Sequence, residues 1–201
     1  MSREIQTRRK YEQRKRANDV AATRLRITEA AIDLHGTVGP SRTTLSAVAQ
    51  RAGVERRTLY RHFPTEADLF AACSTHYFAA HPWPDLDGWR AIGDPRERLE
   101  RALDELYAYY EVTAPMFGNV LRDAEVVDFA RAAVAPLNAF LDEAAGALLA
   151  GRAVRGRRRQ RPRHAVAFST WRSLADNGIG RADAVRLVTA LVDAAGSAAP
   201  R

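Results

Sequence analysis

Between Arg56 and His62 the chain reads Arg-Arg-Thr-Leu-Tyr-Arg-His, placing three guanidinium groups, two hydroxyls and an imidazole within seven residues. A guanidinium donates two parallel hydrogen bonds to a guanine edge or a phosphate, and Thr or Tyr hydroxyls reach phosphate oxygens. No carboxylate interrupts the set. Chemistry of another kind has little foothold: there is no P-loop, nucleophile elbow, HExxH helix or paired carboxylates in a recognisable setting, so no enzyme and no cofactor are expected. His35, His76, His81 and His164 form no ligand spacing with His62, and the lone Cys73 lacks partners, so neither a metal site nor an internal disulfide is expected.

Those donors act together only if a short helix presents them on one side. The spacing predicts that helix over Glu55 to His62, with Val54 and Leu59 anchoring it to a preceding helix from Thr44 to Arg51. In the preceding helix Leu45, Val48 and Ala49 point inward. Ala49 is small where two helices must cross closely, and Gly53 supplies the left-handed residue of a tight interhelical turn. Arg56, Arg57, Thr58, Tyr60 and Arg61 are left for solvent or a polyanion. Upstream, Ile27, Ala31, Leu34 and Val38 share one face of a helix ended by Gly36 and Gly39-Pro40.

With Thr43-Thr44 and Val48-Ala49 upstream, the run Gly53-Val54-x-x-x-Thr58-Leu59-Tyr60-x-His62-Phe63 resembles the signature of TetR-family (tetracycline-repressor-like) regulators. The resemblance covers roughly residues 24–72; beyond it, only helix lengths and order agree. It implies an all-α homodimer: an N-terminal three-helix head with a helix-turn-helix that binds double-stranded DNA, followed by a helical ligand-binding and dimerisation body. By the same resemblance Thr44 caps the second helix against a phosphate, and Ser46 lies near the DNA backbone. Arg56, Arg57 and Thr58 face bases, while Tyr60 and His62 meet the sugar-phosphate backbone. Arg61 joins the DNA-binding set, although a solvated role suits it equally. The sequence departs from the pattern at Glu55, where Ser often caps the helix, and at Glu66, where Lys often supports phosphate binding.

The charge distribution agrees with a head and body of different character. Residues 1–80 carry 14 Lys+Arg against 8 Asp+Glu, whereas residues 81–150 carry 6 against 13. Residues 151–163 hold seven arginines and no acid, and read as a connecting loop. The organisation expected is a flexible basic arm over 1–22, a DNA-binding domain over 23–72 and a ligand-binding and dimerisation domain over 73–201. The arm suits either contact with phosphates or the minor groove, or a solubilising tail.

In the body, Thr65-Glu66-Ala67-Asp68 and Asp94-Pro95-Arg96-Glu97 read as helix starts. Pro115 opens a short separate segment, a helix from about Val126 to Leu149 kinks at Pro136, and two helices near 163–176 and 181–195 close the chain. Tyr107, Tyr110, Phe117, Leu121, Phe140 and Trp171 are the candidates to line a pocket for a small, largely apolar effector, with ordinary core packing the alternative for each. Ala165, Phe168, Trp171 and Leu174, then Ala184, Leu187, Val188, Leu191 and Val192, form small apolar faces suited to pairing with a second copy. No apolar run approaches a membrane span and no signal peptide is apparent, so a cytoplasmic repressor acting on a palindromic operator, with no membrane partner, is the expectation.

Overall fold

The computed structural model describes residues 2–149 and 160–197, and every regular element among them is a helix. In order these are α1 (Ser2–Thr37), α2 (Leu45–Arg51), α3 (Arg56–His62), α4 (Glu66–Ala80), α5 (Leu86–Ala91), α6 (Pro95–Asp123), α7 (Asp128–Leu149), α8 (Gln160–Ala165), α9 (Phe168–Asp176) and α10 (Arg181–Ser197), with a 3-10 turn at Pro40–Arg42. They divide into two compact units. The first comprises Met1–Ala80 with Asn119–Ala132, and the second His81–Gly118 with Ala133–Arg201. The boundary expected near residue 73 falls inside α4, which is continuous to Ala80.

The core of the first unit follows from small residues at helix crossings. Ile27, Ala30 and Ala31 of α1 meet Val48 and Ala49 of α2, Leu59 of α3, then Phe63, Leu69 and Cys73, all buried. Alanines at the contact let the backbones approach, while burying Ile27, Leu59 and Phe63 contributes roughly 1.5–3 kcal/mol each. Val38, expected on this face, is exposed instead because α1 has already ended at Thr37. The α2–α3 turn closes with two bonds: Gly53 N–H to Gln50 O at 3.2 Å and Val54 N–H to Ala49 O at 3.0 Å. That pairing requires a left-handed residue, and Gly53 has φ 64°.

The far end of α1 is held by residues 119–123. Asn119 Nδ2 donates to the carbonyls of His35 and Gly36 at 3.1 and 2.8 Å, satisfying acceptors a helix C-terminus leaves open. Asp123 accepts from Ser41 N–H at 2.8 Å and from Arg122 Nε at 2.8 Å. Although burial opposes its ionisation, the hydrogen bonds from Arg122 and Ser41 hold the Asp123 carboxyl below the usual carboxylate range. At Gly39, with φ 94°, a Cβ would meet the side-chain ends of Arg122 and Asp123, which would have to shift. His35 is buried against Phe70, ring centroids 5.0 Å apart. Burial pushes its imidazole down to about 4, against the opposing pull of Asp123.

Four expectations are corrected by the backbone. The stretch 1–22, expected as a flexible arm, is helical from Ser2 onward as part of α1. Its Arg, Lys, Gln, Glu and Ala residues are good helix formers, and they need no apolar stripe to be so. Pro115 does not open a separate segment but lies inside α6, whose adjoining turns are fixed by buried Thr113 and Phe117. Gln160–Ala165 is helical, so Arg161 and Arg163 do not lie in a loop; the rest of the arginine-rich stretch, 151–159, lies outside the described residues. The helix expected over 163–176 is two, broken at Val166-Ala167. Both capping motifs form: Thr65 and Asp68 exchange bonds at 3.1 Å each way, and Asp94 Oδ1 accepts from Arg96 and Glu97 N–H at 2.9 and 2.8 Å.

Two consequences are measurable. Gly39→Ala destabilises the protein by about 2–4 kcal/mol in urea unfolding, from strain plus collision, whereas Gly53→Ala, with nothing within 4 Å, costs only the left-handed penalty of about 1–2 kcal/mol. His35 is neutral when folded and protonates more readily when unfolded, so its contribution is complete above about 6.5 and is lost as pH falls towards about 4. His35→Leu therefore flattens the stability–pH curve between pH 6.5 and 5 by up to about 1.4 kcal/mol per pH unit; an unchanged curve refutes the assignment.

Candidate nucleic-acid interface

Helix α3 is short, and the burial of Leu59 with the half-burial of Val54 and Thr58 fixes which way it faces. Arg56, Arg57, Tyr60 and Arg61 are consequently exposed, and Tyr60 shows 41% of its surface. Arg56 Nη2 donates to Tyr60 Oη at 3.1 Å, and its guanidinium carbon lies 5.8 Å from the Tyr60 ring centroid. One turn apart on α3, the two side chains form a planar cation beside a hydroxyl, a pair of groups that can share a phosphate or divide between base and backbone.

On α2, Thr44 and Ser46 are exposed. Thr44 Oγ1 accepts from Ala47 N–H at 3.1 Å and caps the helix. A groove of about 630 Å³ gathers Thr44, Ser46, Arg56 and Tyr60 with Pro40, Thr43, Glu66 and Asp128. Thus four of the eight residues expected to meet DNA line one depression. Arg57, Thr58, Arg61 and His62 are not among its lining residues. Glu66 and Asp128 add negative charge to it. At Glu55 the helix begins with no side-chain cap bond, as expected of Glu in a Ser position.

His62 is placed differently from the rest. It is half-buried, its Nε2 is shielded from solvent with no partner, and burial, then Arg61 and Arg24, push its imidazole below the usual value. Its carbonyl accepts from Arg24 Nη1 at 2.6 Å, while the Arg24 guanidinium lies 4.0 Å over the Phe63 ring. Arg24 thereby ties α1 to the end of α3. Sequence reasoning missed it because the two partners are 38 residues apart and only the folded chain brings them together.

In the second unit, Tyr107, Tyr110, Phe117, Phe140 and Trp171 are all buried; Leu121 belongs to the first unit. Tyr110 packs on Trp171 and Phe117 at 5.7 and 6.2 Å, and Phe140 stacks on Trp83 at 4.8 Å. The hydroxyls of Tyr107 and Tyr110 donate to Ala165 O and Val166 O at 2.9 and 2.6 Å, joining α6 to the break between α8 and α9. Burial raises both phenols well above their ordinary value. Trp83, Tyr109 and Phe168 extend the same aromatic cluster.

Residues 27–73, which contain α2, α3 and their turn, match the family model of the bacterial regulatory proteins of the tetR family. This segment is similar to the tetR family of bacterial regulatory proteins. An HTH-type transcriptional regulator of Mycobacterium bovis is 41% identical over 87 residues, 43% of this chain and 44% of that protein; the match thus spans less than half of its relative. Two solved structures carry the likeness along most of the chain. A TetR-like transcriptional regulator from Rhodococcus sp. RHA1 superimposes with a TM-score of 0.61 and 21% identity, over 87% of this chain and 96% of that one. A TetR-family transcriptional regulator from Streptomyces coelicolor gives 0.61 and 21%, over 88% and 82%. At such identities they show the fold: an all-helical TetR-like chain with its helix-turn-helix in the N-terminal region. No helix among the described residues is long and apolar enough to cross a membrane.

Removing the Thr44 hydroxyl frees the Ala47 N–H at the start of α2. Thr44→Ala is expected to lower stability by about 1 kcal/mol, read by urea unfolding, whereas Ser46→Ala leaves it within about 0.5 kcal/mol.

Proposed function

We propose that the protein is a transcription regulator that binds a palindromic operator as a homodimer and represses by occupying it. The observation that carries this reading is the exposed set Arg56, Arg57, Tyr60 and Arg61 on a helix held by the TetR-matching core. Arg56, Arg57 and Thr58, at the start of α3, read bases in the major groove; Thr44, Ser46 and Tyr60 hold the DNA backbone. His62 supports the head from within and Arg61 adds positive charge at its rim. One seven-residue helix reads too few bases for selectivity, so two heads spaced by about one DNA turn are required. Leu187 and Leu191, 42% and 60% exposed one turn apart on α10, supply apolar surface for pairing with a second copy.

A small, largely apolar effector releases the operator by favouring the conformation that holds DNA poorly, and it shifts the equilibrium only by its difference in affinity for the two states. The aromatic cluster around Tyr110 and Trp171 supports an effector site in the second unit, where a ligand would part rings now in contact. The protein would act in the cytoplasm, where its DNA is.

Selection of bound fragments from genomic DNA with purified full-length protein is expected to enrich an inverted repeat; no enrichment would refute the reading. On that repeat Arg57→Ala is expected to relax a guanine position at a cost of about 1–3 kcal/mol. An equal loss on every sequence would instead make Arg57 a phosphate contact.

A further inference from the structure

Helix α1 starts well before the core of the first unit, whose earliest buried side chain is Ile27. Residues 9–22 are exposed throughout. Arg24 fixes the orientation of this extension, because its guanidinium reaches His62 O and the Phe63 ring at the end of α3. Stepping back from Arg24 at about 100° per residue, Arg9, Lys10, Arg14 and Arg16 all fall within roughly 80° of its direction, as do Ala17, Val20 and Ala21. Glu12 and Asp19, the acids of this stretch, lie at about 120° and 140°, and Lys15 lies opposite. The charged residues on the face that continues from the α3 side are therefore all basic, and the acids are turned away from it. Among the described residues Arg9, Lys10, Arg14 and Arg16 make no ion pair or side-chain hydrogen bond within the protein.

We infer that this face is a second DNA-binding element, which lies along the phosphates of the duplex flanking the sequence read by α3. The inference rests on the regulator reading above. Arg9 to Arg24 spans about 22 Å of helix axis, comparable to some six phosphates of one strand at about 3.4 Å each. Its four extra cations add affinity without sequence preference. Duplex DNA fits better than a lipid surface, because between Arg9 and Arg24 the face offers only Ala17, Val20 and Ala21 as apolar residues, too little to seat a helix in a bilayer.

The test compares full-length protein with the fourfold variant Arg9→Gln/Lys10→Gln/Arg14→Gln/Arg16→Gln, its Arg→Lys counterpart at 9, 14 and 16, and the off-face control Lys15→Gln/Arg26→Gln. Binding is measured against salt on the selected inverted repeat, cut at its edges or extended by one turn on each side, and on a random-sequence duplex. The wild type and the lysine variant are expected to bind the extended duplex more tightly than the trimmed one. The glutamine variant is expected to lose that gain, with the logarithmic salt slope shallower by about 0.9 for each contact removed. An unchanged flank gain and slope, an equal loss in the off-face control, or charge-dependent binding to phosphatidylglycerol vesicles with DNA binding unaltered would each overturn the inference. The regulator reading fails separately: no inverted repeat is then enriched, while the random duplex still reports on the face.

Discussion

The direction in which α3 faces depends on a close crossing of three helices in which Ala31 and Ala49 take the places where larger side chains would hold the backbones apart. With those alanines in the core, Leu59 is wholly buried, and Arg56, Arg57, Tyr60 and Arg61 on the same seven-residue helix face outward. Arg24 adds a second constraint from the opposite end by binding the His62 carbonyl and covering Phe63. The exposed arginines and Tyr60 of α3 need little positioning of their own. Their common orientation is a by-product of packing on the other side of the helix.

The same economy explains what the sequence made legible. A turn glycine, a capping threonine and the reciprocal Thr65–Asp68 cap each act over three to five residues, so spacing alone reveals them. The family motif lies in that local register, and Thr44, Ser46, Arg56 and Tyr60 do converge on one groove. Features that depend on distant partners stayed hidden. Asn119 and Asp123 hold residues more than 80 positions away, and buried Arg98 bonds the carbonyls of Ile92 and Ala147. No local pattern distinguishes such residues from solvated ones.

Other misreadings came from giving one local rule too much weight. The missing apolar stripe in residues 1–22 made the segment look irregular, but exposed Arg, Lys, Gln and Glu favour a helix without burying anything. Pro115 looked like a boundary, yet it costs α6 a hydrogen bond and not the helix, since buried side chains on both neighbouring turns keep the backbone helical. His62, named for a phosphate contact, lies partly beneath the surface it was meant to form.

The close approach of Gly39 to Asp123 ties together two residues that the chain separates by more than eighty positions. A methyl group at 39 would displace the carboxylate that receives the Ser41 N–H, whereas a shorter side chain at 123 would open the space and leave that N–H unanswered. Neither position is therefore free to drift alone. Across evolutionary time the pair should be inherited as a single unit, with a residue larger than glycine at 39 tolerated only in lineages that have already found another acceptor for residue 41.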